Sequence, residues 1–291
     1  MKPAHQAEVE TYLIDEIFKA LGMRADSRWR TLFGPLFTPI VRGLARQAAT
    51  FDACVGQQGL QQTAQEWLKK WFPGFQIIGN EQLPSQGPLV IAANHPGTAD
   101  GLVIASIISR QDLRMVTAAN PFFRALPETR RYFIYSTRDT HVRMVTFRNA
   151  VRHLQKGGAL LIFPSGRLDP DPLYFKQAAR QSLKHWSNSL ILILSKVPQA
   201  NLVLAINAGF VAPEFLANPI SRLQMYDDRR QKLAEFFQVI QWLLLSRQVS
   251  NQPSVVFSAP ISPSQLLSRK VDIQTQLTEI ASHLIDIIPS A

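Results

Sequence analysis

The strongest constraint on the fold is a change in sequence pattern that follows Pro73-Gly74. From this point to the C-terminus, short apolar runs alternate with longer amphipathic segments, which predicts strands that alternate with helices. The predicted strands cover residues 75–78, 89–93, 114–117, 132–135, 159–163, 202–207 and 254–258. The predicted helices cover residues 99–109, 141–155, 173–194, 227–247 and 271–287. Helical crossovers favour parallel strands, so we predict an α/β domain over residues 75–291, with a mostly parallel mixed sheet flanked by helices.

Residues 1–74 show a helical pattern without strand signals. Apolar residues recur at helical spacing over residues 13–21, 29–44 and 60–71. Pro35 and Pro39 lie within the second of these segments and predict a kink or a break there. We therefore expect a small N-terminal helical bundle over residues 1–74. Trp29, Phe33 and Phe37 form an aromatic stripe that favours the core of this bundle over a face that contacts a membrane.

The charge balance favours an anionic partner. The chain has 31 basic and 21 acidic residues, a formal net charge of +10, and residues 110–152 alone contain nine arginines against three acids. Lipid head groups, nucleic acid or an acidic carrier would all match this charge. Nucleic-acid binding has no support beyond charge, because no reader motif is present, and we expect none. Cys54 is the only cysteine, which excludes an intramolecular disulfide and a cysteine-based zinc cluster.

The apolar stretches are all shorter than a bilayer requires. Met1–Glu10 lacks an apolar run and contains two acids, unlike a secretory signal. The most apolar segments, residues 186–195, 202–213 and 239–245, are too short or too interrupted to provide the roughly 20 residues of a transmembrane helix. We therefore expect a cytoplasmic protein without a transmembrane span, in peripheral contact with a membrane surface.

Residues 94–100 combine the features of a catalytic turn. His95 follows a predicted strand and precedes Pro96, which keeps it in an extended conformation. Gly97 permits a tight bend or the close approach of a ligand, and Thr98 is a suitable N-cap for a helix that begins near residue 99. Asp100 then falls in the first turn of that helix, where the dipole favours a carboxylate.

This spacing predicts a contact between the Asp100 carboxylate and one imidazole nitrogen of His95. The contact would fix the tautomer, and the second nitrogen would accept a proton from a hydroxyl that attacks a thioester. Backbone N–H groups at the helix start are expected to stabilise the oxyanion. Ligands of parallel sheets bind at the carboxyl ends of the strands, which is where His95 is predicted to lie. The alternative is that His95 and Asp100 only stabilise a turn.

Three ordered motifs in this region resemble those of the glycerolipid acyltransferases, the family of glycerol-3-phosphate and lysophosphatidate acyltransferases. The first is His-x-x-x-x-Asp at a strand end, from His95 to Asp100, preceded by a similar lead-in over residues 79–91. The second motif is Phe133-Ile134-Tyr135-Ser136, and the third is Phe163-Pro164-Ser165-Gly166. The resemblance covers roughly residues 75–215.

The second and third motifs depart from the family pattern. Ser136 stands where the family has an arginine that helps to bind the acceptor phosphate, although Arg138 lies two residues further on. Ser165 replaces a glutamate that contributes to acceptor binding, and residues 202–206 lack the proline of the family's fourth block. Ser165 also lacks the Gly-x-Ser-x-Gly context of a nucleophile, which favours a polar contact or turn role. These differences make glycerol-3-phosphate a less favoured acceptor.

The resemblance implies an acyltransferase that moves a fatty acyl group from acyl-CoA or acyl-carrier protein to a hydroxyl of a glycerolipid or related alcohol. It implies His95 as general base, Asp100 as its partner, and neither a metal nor another bound cofactor. With the suitability of arginine for phosphate, it gives as candidate substrate-binding residues Gly97, Thr98, Arg131, Ser136, Arg138, Ser165, Gly166 and Arg167. The altered motifs support one alternative, a non-catalytic relative that binds lipid or membrane.

Overall fold

The chain adopts an α/β fold in the computed structural model, which describes residues 3–20, 28–137, 139–222, 227–245, 247–268 and 271–289. The strands are β1 (Gln76–Ile78), β2 (Leu89–Ala93), β3 (Leu113–Ala118), β4 (Phe133–Ser136), β5 (Ala159–Ile162), β6 (Asn201–Ala208) and β7 (Ser254–Phe257). The helices are α1 (Pro3–Ala20), α2 (Arg28–Gln58), α3 (Leu60–Trp71), α4 (Asp100–Ile107), α5 (Pro121–Arg124), α6 (Thr140–Gln155), α7 (Lys176–Leu183), α8 (Asn188–Lys196), α9 (Pro213–Leu216), α10 (Pro219–Arg222), α11 (Asp227–Leu245), α12 (Pro263–Ser268) and α13 (Ile273–Ile287).

The strands form one sheet in the order β1-β7-β6-β2-β5-β3-β4. All neighbouring pairs are parallel except β6 and β7, which are antiparallel. This confirms the predicted mostly parallel mixed sheet with flanking helices. Each predicted strand is present with both ends within one residue of the expected position, because short apolar runs between helices are typical of buried parallel strands.

Strand β2 lies in the interior of the sheet, and every residue in it is buried. Leu89 and Ile91 face one hydrophobic core, together with Val103 and Ile104 of α4. Val90 and Ala92 face the second core, on the side of α6, α7, α8 and α13. Because both faces are covered, ligands can reach β2 only from an end of the strand, and the residues that follow its carboxyl end lead to the candidate site.

One helix prediction required correction. The segment predicted as one helix over residues 173–194 forms two helices, α7 and α8. Ser187 interrupts it, because its hydroxyl caps α8 by accepting the Ser189 N–H and its own N–H donates to the Pro164 carbonyl at 2.9 Å. In contrast, α2 continues through Pro35 and Pro39, so the break that was an alternative there is absent. Both prolines are exposed, where water can satisfy the carbonyls that they leave free.

The N-terminal helices precede the sheet, as the sequence predicted. Phe37 packs edge to face on Phe18 of α1 with ring centroids 5.7 Å apart, which agrees with a core position for this member of the aromatic stripe. The side chains of Trp29 and Phe33 lie outside the described part of the structure. Leu68 and Phe72 belong to the same hydrophobic core as β2. The division into domains at residue 74 stays a prediction.

Candidate active site

A pair of buried asparagines fixes the chain at the carboxyl ends of β2 and β6. The Asn94 amide donates to the Asn207 carbonyl at 2.9 Å, and the Asn207 N–H donates to Asn94 Oδ1 at 2.7 Å. The Asn207 amide in turn donates to the Asn94 carbonyl at 2.9 Å. Three hydrogen bonds between two adjacent strand ends set the direction in which the chain leaves β2, and the next residue is His95.

The imidazole of His95 contacts the carboxylate of Asp100. Its Nδ1 lies 3.0 Å and 2.8 Å from the two carboxylate oxygens, the contact that the spacing predicted. The Asp100 side chain is 1% exposed, and backbone N–H groups of Gly97 and Gly101 donate to its oxygens at 3.2 Å and 2.5 Å. The imidazole stacks on Phe163 at 4.5 Å between centroids and remains 29% exposed. One ring nitrogen is therefore engaged while the ring stays open to solvent.

Thr98 does not cap α4, so this part of the prediction was wrong. The helix begins one residue later than expected, with Ala99 at the N-cap position and no side-chain cap. The Thr98 N–H instead donates to the carboxylate of Glu235, which reaches the turn from α11. The Asp100 carboxylate accepts the N–H of Gly97, which lies before the helix begins. The N–H groups of Gly97 and Thr98 are thus both engaged in hydrogen bonds to carboxylates.

Asp169 holds the main chain of His95 from the opposite side. The His95 N–H donates to Asp169 Oδ2 at 3.0 Å, and the Asp169 N–H donates to the His95 carbonyl at 2.7 Å. The Ser165 hydroxyl also lies within hydrogen-bond distance of Oδ2, at 2.9 Å. The other oxygen, Oδ1, is buried and has no hydrogen-bond partner among the described residues. The sequence interpretation missed Asp169, although it follows the third motif by only three residues.

Several carboxylates act on the protonation of His95. Burial lowers the pKa of the imidazole, but Asp100, Glu235 and Asp169 together outweigh burial and raise that pKa above its ordinary value. Burial in turn raises the pKa values of Asp169 and Glu235. The imidazole therefore lies in a negative environment that favours its protonated form, the form that a general base adopts after it accepts a proton.

Gln231 of α11 ties the turn from His95 to Asp100 to the loop after β5. Its side-chain amide donates to the carbonyls of Pro96 at 2.6 Å and Asp169 at 2.9 Å. Its carbonyl oxygen accepts the N–H of Asp171 at 2.9 Å. All three side-chain bonds are to backbone groups, so one buried glutamine fixes two loops relative to each other. The sequence pattern gave no signal for it, because it lies 135 residues from the turn that it supports.

Asp171 performs a similar task for the loop after β6. Its carboxylate accepts N–H groups from Gly209 at 2.8 Å, Phe210 at 2.9 Å and Leu173 at 3.0 Å. Burial raises the pKa of Asp171 to about 6, although the three N–H groups act in the opposite direction. Three loops, after β2, β5 and β6, are therefore joined beneath His95 by hydrogen bonds of buried polar side chains.

The third motif is linked to the turn from His95 to Asp100 by the contact between Ser165 and Asp169. The Ser165 hydroxyl is also 2.9 Å from the Arg167 carbonyl, so it is used within its own turn. Gly166 has a φ of 63°, a left-handed conformation that favours glycine. Arg167 is exposed and has no acidic partner within the described ranges. The substrate-binding roles of these residues stay predictions.

The second motif lies further from His95. Ser136 ends β4, which is separated from β2 by β5 and β3, a span of roughly 15 Å at about 5 Å per strand. Arg131 is 67% exposed and forms an ion pair with Glu128 at 3.0 Å. Arg138 lies outside the described residues. No contact between Ser136 or Arg131 and His95 occurs in the part of the chain that the structure describes, and their predicted roles remain predictions.

One arginine of the basic stretch has a structural task. Arg110 is 9% exposed and binds the Asp112 carboxylate at 2.9 Å and 2.6 Å. It also donates to the carbonyls of Gly87 and Gly157, each at 2.6 Å. Because its donors are used to join three segments at the amino edge of the sheet, Arg110 is not part of an anion-binding surface.

A pocket of about 150 Å³ lies apart from this site. Its walls come from α1, α2 and the segment around α5, and neither His95 nor Asp100 lines it.

Among the described residues, no group of three or more His, Cys, Asp and Glu side chains is arranged to hold a metal ion. Within the same ranges, no helix has both the length and the apolar character needed to cross a membrane.

Comparison with known proteins identifies the central part of the chain. Residues 74–195 match the model of the Acyltransferase family, which confirms the resemblance predicted from the motifs. No curated protein matches the sequence significantly. A solved structure with a similar fold is the 1-acyl-sn-glycerophosphate acyltransferase PlsC from Thermotoga maritima, at 14% identity and a TM-score of 0.47, over 98% of this chain and 93% of that chain.

Proposed function

We propose that the chain, whose residues 74–195 match the Acyltransferase family model, transfers a fatty acyl group from a thioester to the hydroxyl of a glycerolipid or related alcohol. The thioester donor is acyl-CoA or acyl-carrier protein. The observation that carries this proposal is the contact of His95 Nδ1 with the buried Asp100 carboxylate at 2.8 Å, in a ring that remains 29% exposed. A residue pair that only stabilised a turn would not need an open imidazole.

In the proposed reaction, Asp100 accepts the Nδ1–H of His95 and leaves Nε2 as the basic nitrogen. Nε2 removes the proton of the acceptor hydroxyl while the hydroxyl oxygen attacks the thioester carbonyl carbon. The tetrahedral intermediate then collapses, the carbon–sulfur bond breaks, and the imidazolium returns its proton to the leaving thiolate. The products are an ester and a free thiol, and His95 ends in its starting state.

The surroundings of His95 support the base role. Asp100, Glu235 and Asp169 raise the pKa of His95, so they stabilise the imidazolium that forms as the hydroxyl loses its proton. Phe163 covers one face of the ring and limits its rotation. Because Asp169 and Gln231 fix the main chain on either side, the base approaches the substrate without rearrangement of the turn.

The acceptor is the less defined part of the proposal. Arg167 follows the third motif, is exposed, and carries a charge that suits a phosphate on the acceptor. Ser165 supplies a hydroxyl where the family has a glutamate. A lysophospholipid or another lipid alcohol agrees with these residues, and the cytoplasmic, membrane-surface location remains part of the proposal.

The direct test measures thiol release and ester formation. The donors are acyl-CoA and acylated acyl-carrier protein, and the acceptors are a panel of lysophospholipids, glycerol-3-phosphate and simple alcohols. The wild-type chain should release thiol only when a suitable acceptor is present. The His95→Ala variant should lose transfer by about 10²–10⁴-fold and retain the wild-type circular dichroism spectrum. Full activity in this variant would exclude His95 as the base. Lipid binding without thiol release by the wild type would instead identify a non-catalytic relative.

A further inference from the structure

The first turn of α6 is exposed to solvent. Every residue from 141 to 145 is exposed, including three aliphatic side chains, Val142 at 38%, Met144 at 46% and Val145 at 51%. Packing begins at Thr146, whose hydroxyl lies 2.6 Å from the Tyr135 carbonyl of β4. An isolated exposed valine is ordinary, but three exposed aliphatic residues within four positions form a local apolar surface.

This turn lies at the same edge of the sheet as His95. Strand β4 is parallel to β3, β5 and β2, so their carboxyl ends all point to one edge. Helix α6 begins after the carboxyl end of β4, and Asp139 caps it by accepting the Val142 N–H at 3.0 Å. A surface in contact with this turn would therefore face the edge from which His95 is reached.

Helix α6 is also basic throughout. Its sequence contains no acid, and Arg143, Arg148 and Arg152 are exposed without an acidic partner in the described ranges. The neighbouring α7 differs, because its two cations, Lys176 and Arg180, both pair with Asp286 of α13. The uncompensated positive charge of this helix layer is therefore concentrated along α6.

We propose that the first turn of α6, residues 141–145, contacts an anionic phospholipid bilayer. The aliphatic side chains enter the head-group region and the arginines bind lipid phosphates, the combination that holds peripheral proteins at membranes. A protein partner fits less well, because a stable protein interface needs about 800 Å² on each side and one exposed turn offers far less. The inference extends the proposed function by orienting the catalytic edge toward the membrane.

Sedimentation with lipid vesicles tests this surface. The full chain is mixed with vesicles of phosphatidylcholine alone or of phosphatidylcholine with phosphatidylglycerol, and the bound fraction is measured at low and high NaCl. We expect binding to the anionic vesicles that weakens with salt. The double variant Met144→Glu/Val145→Glu should bind about tenfold more weakly, because it removes two apolar contacts and adds two negative charges near anionic lipid.

A matched control is Val271→Glu, since Val271 is 49% exposed and lies shortly before α13, which packs on β6 and β7 rather than on β4. This variant should bind like the wild type. Equal vesicle binding by the wild type and the double variant would overturn the proposal, as would no binding by the wild type. So would a double variant that loses only transfer from acyl-carrier protein, which would identify a protein-docking surface.

The result is separable from the proposed function. Vesicle binding requires no turnover, so it can be measured in the His95→Ala variant, which should bind like the wild type. Conversely, the double variant should retain transfer between a short-chain acyl-CoA and a water-soluble acceptor. If neither the wild type nor the double variant transfers acyl groups but vesicle binding depends on Met144 and Val145, the membrane surface stands and the proposed reaction fails.

Discussion

His95 and Asp169 are joined by two hydrogen bonds that run in opposite directions, of 3.0 Å and 2.7 Å. One uses the Asp169 carboxylate and the other the His95 carbonyl. This arrangement gives Asp169 two effects, since it fixes the position of the candidate base and also places a negative charge near the imidazole. The two effects can be separated by substitutions that remove only the charge or both charge and acceptor.

Asp169→Asn should shift the acidic limb of the activity profile to lower pH. The amide oxygen can still accept the His95 N–H, but the lost charge no longer raises the pKa of His95. The measurement is kcat/KM against pH, which reports the ionisation of the free enzyme. Asp169→Ala should lower activity more, because the acceptor is also lost. An unchanged pH profile in Asp169→Asn would show that Asp169 acts through structure alone.

Asp100→Asn should lower transfer by about 10²–10⁴-fold with little change in KM. The amide cannot stabilise the imidazolium, and it can hold the imidazole in the wrong tautomer. Asp286→Asn provides a control, because Asp286 forms ion pairs only with Lys176 and Arg180 among the described residues. Steady-state kinetics on both variants distinguishes the roles, and comparable losses in the two would contradict the assignment of Asp100.

Gly97→Ala should impair the turn, whereas Gly101→Ala should be tolerated. A Cβ at Gly97 would lie 3.0 Å from the Phe210 Cβ and 3.1 Å from the Glu235 carboxylate, closer than these groups normally approach. At Gly101 the nearest atom is the Phe163 ring at 3.5 Å, an ordinary contact. We expect a loss of about 1–3 kcal/mol in unfolding free energy for Gly97→Ala. Urea denaturation measures it, and equal stability of the two variants would refute the crowding at Gly97.

Asn94→Leu should destabilise the fold by about 2–4 kcal/mol, because it leaves the buried N–H and carbonyl groups of Asn207 without partners. Asn149→Leu on the exposed face of α6 is the matched control and should change stability by less than about 0.5 kcal/mol. Chemical denaturation gives both values. A small loss of stability in Asn94→Leu would mean that other groups form hydrogen bonds with the N–H and carbonyl of Asn207.

The stability that His95 contributes should depend on pH in a defined direction. Its folded-state pKa is raised, so its contribution is fully present below the unfolded pKa of about 6.5 and is lost as pH rises through the folded pKa. The difference in unfolding free energy between the wild type and His95→Gln should therefore favour the wild type most at mildly acidic pH. Urea titrations across pH 5–9 would reveal it, and a difference that grows with pH would have the wrong sign.

Local patterns in the sequence were sufficient for the strands and for the first contact of the site. Each strand is a short run rich in apolar residues between helical or turn segments, so its limits could be read from local sequence. His95 and Asp100 are five residues apart, and the bend at Pro96-Gly97 brings them together without help from distant segments. The prediction of one helix over 173–194 failed because the break at Ser187 depends on a contact with Pro164.

Tertiary structure alone decided which groups surround the imidazole. Glu235 and Gln231 lie 137 and 135 residues from the turn that they contact, and they reach it because α11 packs beside the loops after β2 and β5. Nothing in their own sequence context marks them, since a polar residue on a helix is normally solvated. The sequence by itself determined the contact between His95 and Asp100. The packing of distant elements determined the burial and the charge around them, because both depend on which segments meet after the chain has folded.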